Sequence, residues 1–258
     1  MEFDNKVVVV TGASSGIGAA CAVNFAKLSA KLVLVGRNSD NLAKIAAQCH
    51  RLNGLTPVVV AADISLPEDV DRIIKETIDN FGRIDTLVNN AGICQMASIH
   101  NGLEAFDRIM GTNLRGTFLL TDKSIPHLIK TKGNIVNMSS ILSTKPLPSM
   151  TAYCMSKAAI DMFTKSAALE LGAKGVRINS VNPGLVKTNL FTSAGLNEEE
   201  NEKFYGFYEN LVPLRKVAQV EDVAQLVVFL ASDRANCVTG SSYVVDCGAT
   251  ISVNNETR

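Results

Sequence analysis

The sequence predicts an α/β fold: a doubly wound parallel sheet of about seven strands flanked by helices. Three observations carry this expectation. Short β-branched apolar runs alternate with longer stretches of helical period. Most of the short runs are continuously apolar, as strands buried on both faces are. No repeat, low-complexity tract or Pro/Gly/Ser-rich linker interrupts the alternation, so a domain boundary has no natural place to fall and residues 1–258 read as one domain.

Taken in order, Val7–Thr11 is the first strand and Gly18–Ser29 the first helix. Lys31–Gly36 and Ser39–Leu52 repeat the unit, and Thr56–Ala61 and Pro67–Phe81 repeat it again. Pro67 suits a first helical turn, with Ser65 as the expected cap. Thr86–Asn89 is the fourth strand, followed by one long helical stretch, Leu103–Lys130. Asn134–Ser139, the helix Thr151–Gly172 and the strand Arg177–Asn182 come next, and the helix Val220–Ala231 leads to the last strand, Ser242–Asp246. The stretch from Pro183 to about Lys216 breaks the rhythm. It combines a Pro-Gly turn, polar caps, an acidic run at Glu198–Glu200 and clustered aromatics, and is expected to form an irregular substrate-binding loop over about 184–216.

Composition excludes several classes. Hydrophobic residues make up 47% and charged residues 19%, with a formal net charge of zero, so no field favours nucleic acid. The polar start, Met1 to Lys6, runs directly into a strand, which predicts neither a signal peptide nor a membrane span and hence a cytoplasmic protein. Six dispersed cysteines form no C-x-x-C pair, and His50, His100 and His127 lack ligand spacing, so no metal site is expected. The triplets at Asn137 and Asn255 fit a glycosylation pattern only by chance without secretion.

The first strand runs into Thr11-Gly12-Ala13-Ser14-Ser15-Gly16-Ile17-Gly18, which opens a helix. In that position glycines let the backbone turn sharply against a pyrophosphate, Gly18 permits close helix–strand packing, and the helix N-terminus faces the anion. Strand, turn, helix and second strand together read as a Rossmann dinucleotide site; the alternative is a tight turn without a ligand. Where NAD enzymes carry an acid at the end of the second strand, this chain has Gly36 followed by Arg37. A guanidinium suits a 2′-phosphate, with Asn38 and Ser39 able to assist, so NADP(H) is the expected cofactor. Otherwise Arg37 is simply a solvated surface residue.

Tyr153 and Lys157 stand four residues apart and so project from one helical face. A phenol ordinarily titrates near 10. An adjacent ammonium and an oxidised nicotinamide both favour phenolate, and this would make Tyr153 a usable acid and base. Ser139 and Ser140 put hydroxyls at the carboxyl edge of the sheet, where open α/β sheets bind ligands.

These features, in this order, resemble the short-chain dehydrogenase/reductase family in its single-domain form. Thr11–Gly18, Asp63-Ile64, Asn89-Asn90-Ala91-Gly92, Asn113, Ser140, Tyr153-x-x-x-Lys157 and Pro183-Gly184 span nearly the whole chain. The resemblance implies that Tyr153 exchanges a proton with the substrate oxygen, that Lys157 binds the nicotinamide ribose and lowers the tyrosine pKa, and that Ser140 hydrogen-bonds the carbonyl. Spacing to the tyrosine in similar enzymes favours Ser140 over Ser139. Asn113 would hold a water linking Lys157 to solvent. Asp63, with Ile64 beside it, would contact the adenine, though an aspartate capping a turn fits equally. Asn90, Ala91 and Gly92 would approach the adenine ribose, and Val186 and Thr188, after Pro183-Gly184, the carboxamide and phosphate. A homotetramer is implied as well. One departure is Cys247, where similar chains often have glycine, which touches the packing of the last turn.

The excursion after Pro183 carries Leu185, Leu190, Phe191, Phe204, Tyr205, Phe207 and Tyr208, which either wall an apolar pocket or cover a neighbouring helix. The expected activity is hydride transfer between NADP(H) and an apolar steroid-like, terpenoid or lipid-like ketone or its secondary alcohol. A 3-oxoacyl thioester reductase is the enzymatic alternative, for which Arg115, Lys123 and Lys130 supply only part of a basic docking patch. A cofactor-bound sensor or scaffold without turnover is the non-enzymatic one.

Overall fold

The computed structural model describes residues 2–188 and 197–252. One seven-stranded sheet runs through it in the order β3-β2-β1-β4-β5-β6-β7. The strands are β1 Val7–Thr11, β2 Lys31–Gly36, β3 Val58–Ala61, β4 Thr86–Asn89, β5 Asn134–Met138, β6 Arg177–Pro183 and β7 Ser242–Val245, and every pairing is parallel. The helices are α1 Gly16–Lys27, α2 Ser39–Asn53, α3 Pro67–Phe81, α4 Leu103–Ile109, α5 Thr117–Thr131, α6 Thr151–Leu171, α7 Glu198–Leu211 and α8 Val220–Ala231.

Alternation along the strands sends side chains to two cores. From β1, Val8 and Val10 pack with Phe25 of α1 and Val223 and Val227 of α8 on one face. Val7 and Val9 pack with Ile73 of α3, Leu120 and Leu128 of α5 and Leu171 of α6 on the other. The chain winds outward through β2 and β3, then returns to place β4 on the far side of β1. The carboxyl ends of β1 and β4 therefore diverge, leaving the crevice in which open α/β sheets bind ligands.

Three features differ from the sequence reading. The segment expected to be irregular over 184–216 contains α7, started by a capping box in which Asn197 and Glu200 bond each other's backbone. The acidic run Glu198–Glu200 is thus a helix's first turn, where negative charge suits the dipole. Leu190, Phe191 and Asn255 lie outside the described residues. Leu103–Lys130 is not one regular helix, because Met110–Gly116 is wound as a π-helix between α4 and α5. Ser65 does not cap α3: the N-cap is Leu66, and the Ser65 hydroxyl donates to Asp63.

Strand ends also move by a residue or two; β3 starts at Val58, β5 stops at Met138, β6 runs on to Pro183 and β7 ends at Val245. Cys247 adopts φ 54°, in the left-handed region that favours glycine, which accounts for the glycine common at its position in similar chains. Its side chain packs partly buried beside Ile141, Val212 and Ala249.

Candidate active site

The crevice between β1 and β4 is stitched by one hydroxyl. Thr11 Oγ1 accepts from the Asn90 and Ala91 amides, each at 3.0 Å, and donates to the Val88 carbonyl at 3.2 Å. Asn90 Nδ2 returns a bond to the Thr11 carbonyl at 2.9 Å. The Asn90 side chain therefore fixes the turn, while its loop stays at the crevice edge. Gly12 has φ +65°, and a Cβ there would fall 2.7 Å from Asn90 Nδ2. A Cβ on Gly18 would collide with the Gly12 carbonyl oxygen, so the close approach of α1 to the turn requires glycine. Ser15 precedes α1 in extended conformation without a side-chain cap, which leaves the amides of Gly16, Ile17 and Gly18 at a helix start aimed at the crevice. This arrangement fits a dinucleotide pyrophosphate.

At the end of β2, Ser14 Oγ lies 3.4 Å from where a Gly36 Cβ would stand, so that corner carries no acid. The Arg37 side chain is 71% exposed, with its guanidinium 4.0 Å from Asp63 Oδ2. Asn38 Oδ1 accepts from the Asn41 amide at 2.9 Å and caps α2. Asp63 Oδ1 accepts from the Ser65 amide and hydroxyl, the turn-capping role that the sequence allowed. Ile64 is buried beneath the π-helix, where Gly116 passes close to its carbonyl. Pro183 ends β6, Gly184 packs against Asp246, Val186 is buried, and Thr188 is gripped by Tyr205, whose hydroxyl donates to the Thr188 carbonyl at 3.1 Å.

Tyr153 and Lys157 lie on the α6 face that meets the carboxyl end of β5. Lys157 is 4% exposed, donates to the Met138 carbonyl at 2.8 Å and stands 5.5 Å from the centre of the Tyr153 ring. Burial pulls its ammonium down to about 8, opposed by the charges of Asp161 and Cys94. Burial raises the Tyr153 phenol above its ordinary value; the charged form of the Cys94 thiol adds to the rise, a hydrogen bond with the Ser140 side chain opposes it, and Cys154 adds again. In the nucleotide-free protein burial, and not the ammonium, is the largest influence on this phenol, and Lys157 directs its hydrogen bond to Met138.

The two adjacent serines divide their work. Ser139 Oγ donates to the Lys157 carbonyl at 3.1 Å and anchors α6 to β5, whereas Ser140 Oγ accepts from the Leu142 amide at 3.1 Å and is the serine that acts on the Tyr153 phenol. Asn113 sits in the π-helix, a geometry often found at functional sites. Its side chain pairs with the Ile93 backbone in both directions, at 2.8 and 2.9 Å, and donates to Ser156 Oγ at 3.1 Å. A Cβ on Gly92 would stand 3.3 Å from Asn113 Oδ1 and 3.6 Å from Lys157 Nζ, so these three residues converge.

Sequence reasoning missed Cys94 and Met150, whose sulfurs lie 3.8 Å apart beside Tyr153. Cys94 follows Gly92 by two residues, and that spacing was the available signal. Of the excursion's aromatics, Tyr205 is buried against the Thr188 backbone and Tyr208 packs on Ile141 and Leu142, next to Ser140. Phe204 and Phe207 face solvent at 39% and 63% exposure, so only part of the cluster turns inward. Among the described residues no group of His, Cys, Asp and Glu is disposed to hold a metal, and no helix is long and apolar enough to cross a membrane.

Comparison with known proteins gives a consistent answer. A family model described as enoyl-(acyl carrier protein) reductase matches residues 12–250. Meso-2,3-butanediol dehydrogenase of Serratia marcescens is 38% identical, over 98% of this chain and 97% of its own length. A short-chain dehydrogenase/reductase of Caenorhabditis elegans, solved with its cofactor, superposes with TM-score 0.95 at 33% identity, covering 99% of both chains. L-sorbose reductase of Gluconobacter frateurii, solved with NADPH and L-sorbose, superposes with TM-score 0.91 at 32% identity over 98% of this chain and 99% of its own.

Proposed function

The chain belongs to the short-chain dehydrogenase/reductase family, and from that premise we propose that it is an NADP(H)-dependent carbonyl reductase acting on a sizeable apolar ketone or the matching secondary alcohol. Oxidoreduction between alcohol and ketone with a nicotinamide cofactor is the chemistry of the family. The observation that carries the reading is Tyr153 on one helical face with the buried Lys157, whose Nζ stands 5.5 Å from the ring centre, beside Ser140 at the carboxyl end of β5.

When bound, a nicotinamide would supply the hydride that a carbonyl carbon accepts. The rest belongs to the chain. Ser140 and Tyr153 donate hydrogen bonds to the carbonyl oxygen, where negative charge grows, and Tyr153 gives up its proton there. Lys157 holds the ribose hydroxyls, and its ammonium replaces in part the solvation that burial takes from the phenol. Asn113 fixes the Ile93 loop and supports the water that links Lys157 to solvent. Gly12, Ser14, Ser15, Gly16, Ile17 and Gly18 cradle the pyrophosphate. Asp63 and Ile64 border the adenine, Asn90, Ala91 and Gly92 its ribose, and Pro183, Gly184, Val186 and Thr188 the nicotinamide end.

Preference for NADP(H) rests on Gly36 and the exposed Arg37, with Asn38 beside it. A 2′-phosphate would compete with Asp63 for Arg37 at a separation, 4.0 Å, that marks a loose surface pair. The apolar substrate class rests on the inward faces of Tyr208, Ile141 and Leu142 and on the sulfurs of Cys94 and Met150. A carrier-bound acyl thioester is the weaker reading, because Arg115 is bonded to the Ser65 carbonyl and Lys123 is paired with Asp71. A short hydroxyketone is the second reading. It draws on the substrates named for the two sugar- and diol-metabolising relatives and on Gln95 Oε1, which is buried without a hydrogen-bond partner.

The whole chain is taken as one catalytic domain, assembled as a homotetramer through the exposed Phe118, Met155, Met162 and Leu169 of α5 and α6. Six free cysteines suit a reducing cytoplasm. The test is a screen of purified protein against steroid-like, terpenoid, acyl-thioester and short hydroxyketone substrates while NADPH absorbance is followed. Turnover confined to the large apolar ketones is the expected result, and turnover confined to short hydroxyketones would transfer the assignment to the second reading. No turnover across the panel would return the chain to a sensor or scaffold role.

A further inference from the structure

Beyond Lys157, the same face of α6 continues to Asp161, one helical turn further on. Asp161 is 8% exposed, and among the described residues no lysine or arginine pairs with it within 4.0 Å. Oδ2 accepts from Asn182 Nδ2 at 2.8 Å, and Oδ1 lies 3.1 Å from the Ser180 hydroxyl, whose single proton is shared with Asn182 Oδ1 at 3.0 Å and Ser242 Oγ at 2.9 Å. The Asn182 amide nitrogen can only donate to this carboxyl group, which suits an ionised oxygen. The same Asn182 amide lies 3.3 Å from the Ser140 carbonyl and 3.2 Å from Ser143 Oγ. One buried asparagine therefore links the carboxylate to the backbone of Ser140.

We propose that Asp161 and Asn182 form a positioning unit for the reaction: Asp161 supplies the buried negative charge that keeps Lys157 an ammonium, and Asn182 ties that carboxylate to the backbone of Ser140. This rests on the oxidoreductase reading above. A buried carboxylate without a bonded cation is costly, and hydrogen bonds from Ser180 and Asn182 only partly offset it. A lysine as buried as Lys157 faces the complementary cost. Each group lessens the other's, which explains why two such charges occupy successive turns of α6. Lys157 is faced by Asp161 from its own helix, by Cys94 from the loop after β4 and by the Tyr153 ring, and Asp161 is the one carboxyl group among them. In keeping with this geometry, the Asp161 charge is the largest influence opposing the loss of the Lys157 proton.

The test compares Asp161→Asn with wild type and with Ser180→Ala. Asp161→Asn removes the charge at nearly constant volume, whereas Ser180→Ala removes a hydrogen bond to the same carboxylate and leaves the charge. Two readouts are taken across pH: the rate of ketone reduction, and the dissociation constant of NADPH from its own fluorescence, which no tryptophan of this chain obscures. In Asp161→Asn the alkaline limb of both profiles moves down by about one pH unit, the lower end of what one nearby opposite charge confers. At a pH above that limb the loss is about tenfold. Ser180→Ala lowers the melting temperature without moving the limb. An Asp161→Asn profile that falls uniformly at every pH, or a limb that shifts equally in Ser180→Ala, would overturn the proposal and leave Asp161 a packing residue. Should no ketone be turned over by wild type, the proposed function fails, yet the nucleotide-binding profile still decides whether Asp161 acts on Lys157.

Discussion

Ser139 and Ser140, adjacent in sequence, face opposite tasks: the Ser139 hydroxyl holds the Lys157 carbonyl at 3.1 Å, while Ser140 Oγ accepts from the Leu142 amide at 3.1 Å on the side of the Tyr153 phenol. Extended backbone at the end of a strand sends neighbouring side chains to opposite faces. One face meets the helix and the other opens to the crevice.

Substitution should separate these tasks. Ser140→Ala is expected to lower kcat by about a hundredfold, the scale of one lost donor to a developing oxyanion, with little change in melting temperature. Ser139→Ala is expected to cost about 1 kcal/mol of stability, as for a buried hydrogen bond, with a smaller effect on rate. Steady-state kinetics and thermal melts of both variants measure the difference.

Cofactor choice turns on Arg37. Arg37→Asp places a carboxylate where a 2′-phosphate would lie and should reverse the preference between NADPH and NADH in kcat/KM. Equal use of both nucleotides before and after the change would show that Arg37 does not read the phosphate.

The buried ammonium predicts an unusual stability profile for the nucleotide-free protein. In the unfolded chain Lys157 titrates near 10.5, and in the folded protein near 8, so between those values the unfolded state binds the extra proton. Stability contributed by this site therefore rises as pH climbs from about 8 towards about 10.5, and the raised Tyr153 phenol opposes it above that range. Urea unfolding at about pH 7.5 and about pH 9.5 reads the difference, whose upper bound is about 2 kcal/mol at about 1.36 kcal/mol per unit. A Lys157→Met variant should lack this rise.

The same reasoning makes Lys157→Met more stable than wild type at neutral pH. Relief of the buried charge outweighs the lost bond to Met138, worth about 1 kcal/mol, by about 2 kcal/mol. Activity should vanish together with tight nucleotide binding. A melting temperature below that of wild type would contradict this account of the site's electrostatics.

Much of this was legible in the sequence because it is written in local pattern. The turn at Gly12–Gly18 identifies itself by lying between an apolar run and a helix, and Tyr153 and Lys157 by helical spacing. What was not legible depends on contacts distant in sequence. Burial raises the Tyr153 phenol in the nucleotide-free protein, and Cys94, which adds to the rise, lies about sixty positions upstream. Asp161 would have emerged had the catalytic face been followed one more turn, but its partner Asn182 comes from a different strand. Helix α7 was hidden because its first turn is an acidic run, which reads as loop until Asn197 is recognised as a cap. The π-helix that carries Asn113 has no signal in composition at all.

The central claim is that Tyr153 is the proton donor of a nicotinamide-dependent carbonyl reduction. The most direct measurement is the single-turnover rate of Tyr153→Phe with bound NADPH and a ketone that wild type reduces. A folded variant that binds NADPH normally and reacts at least about a hundredfold more slowly is the predicted result, whereas wild-type turnover in that variant would remove Tyr153 from the mechanism.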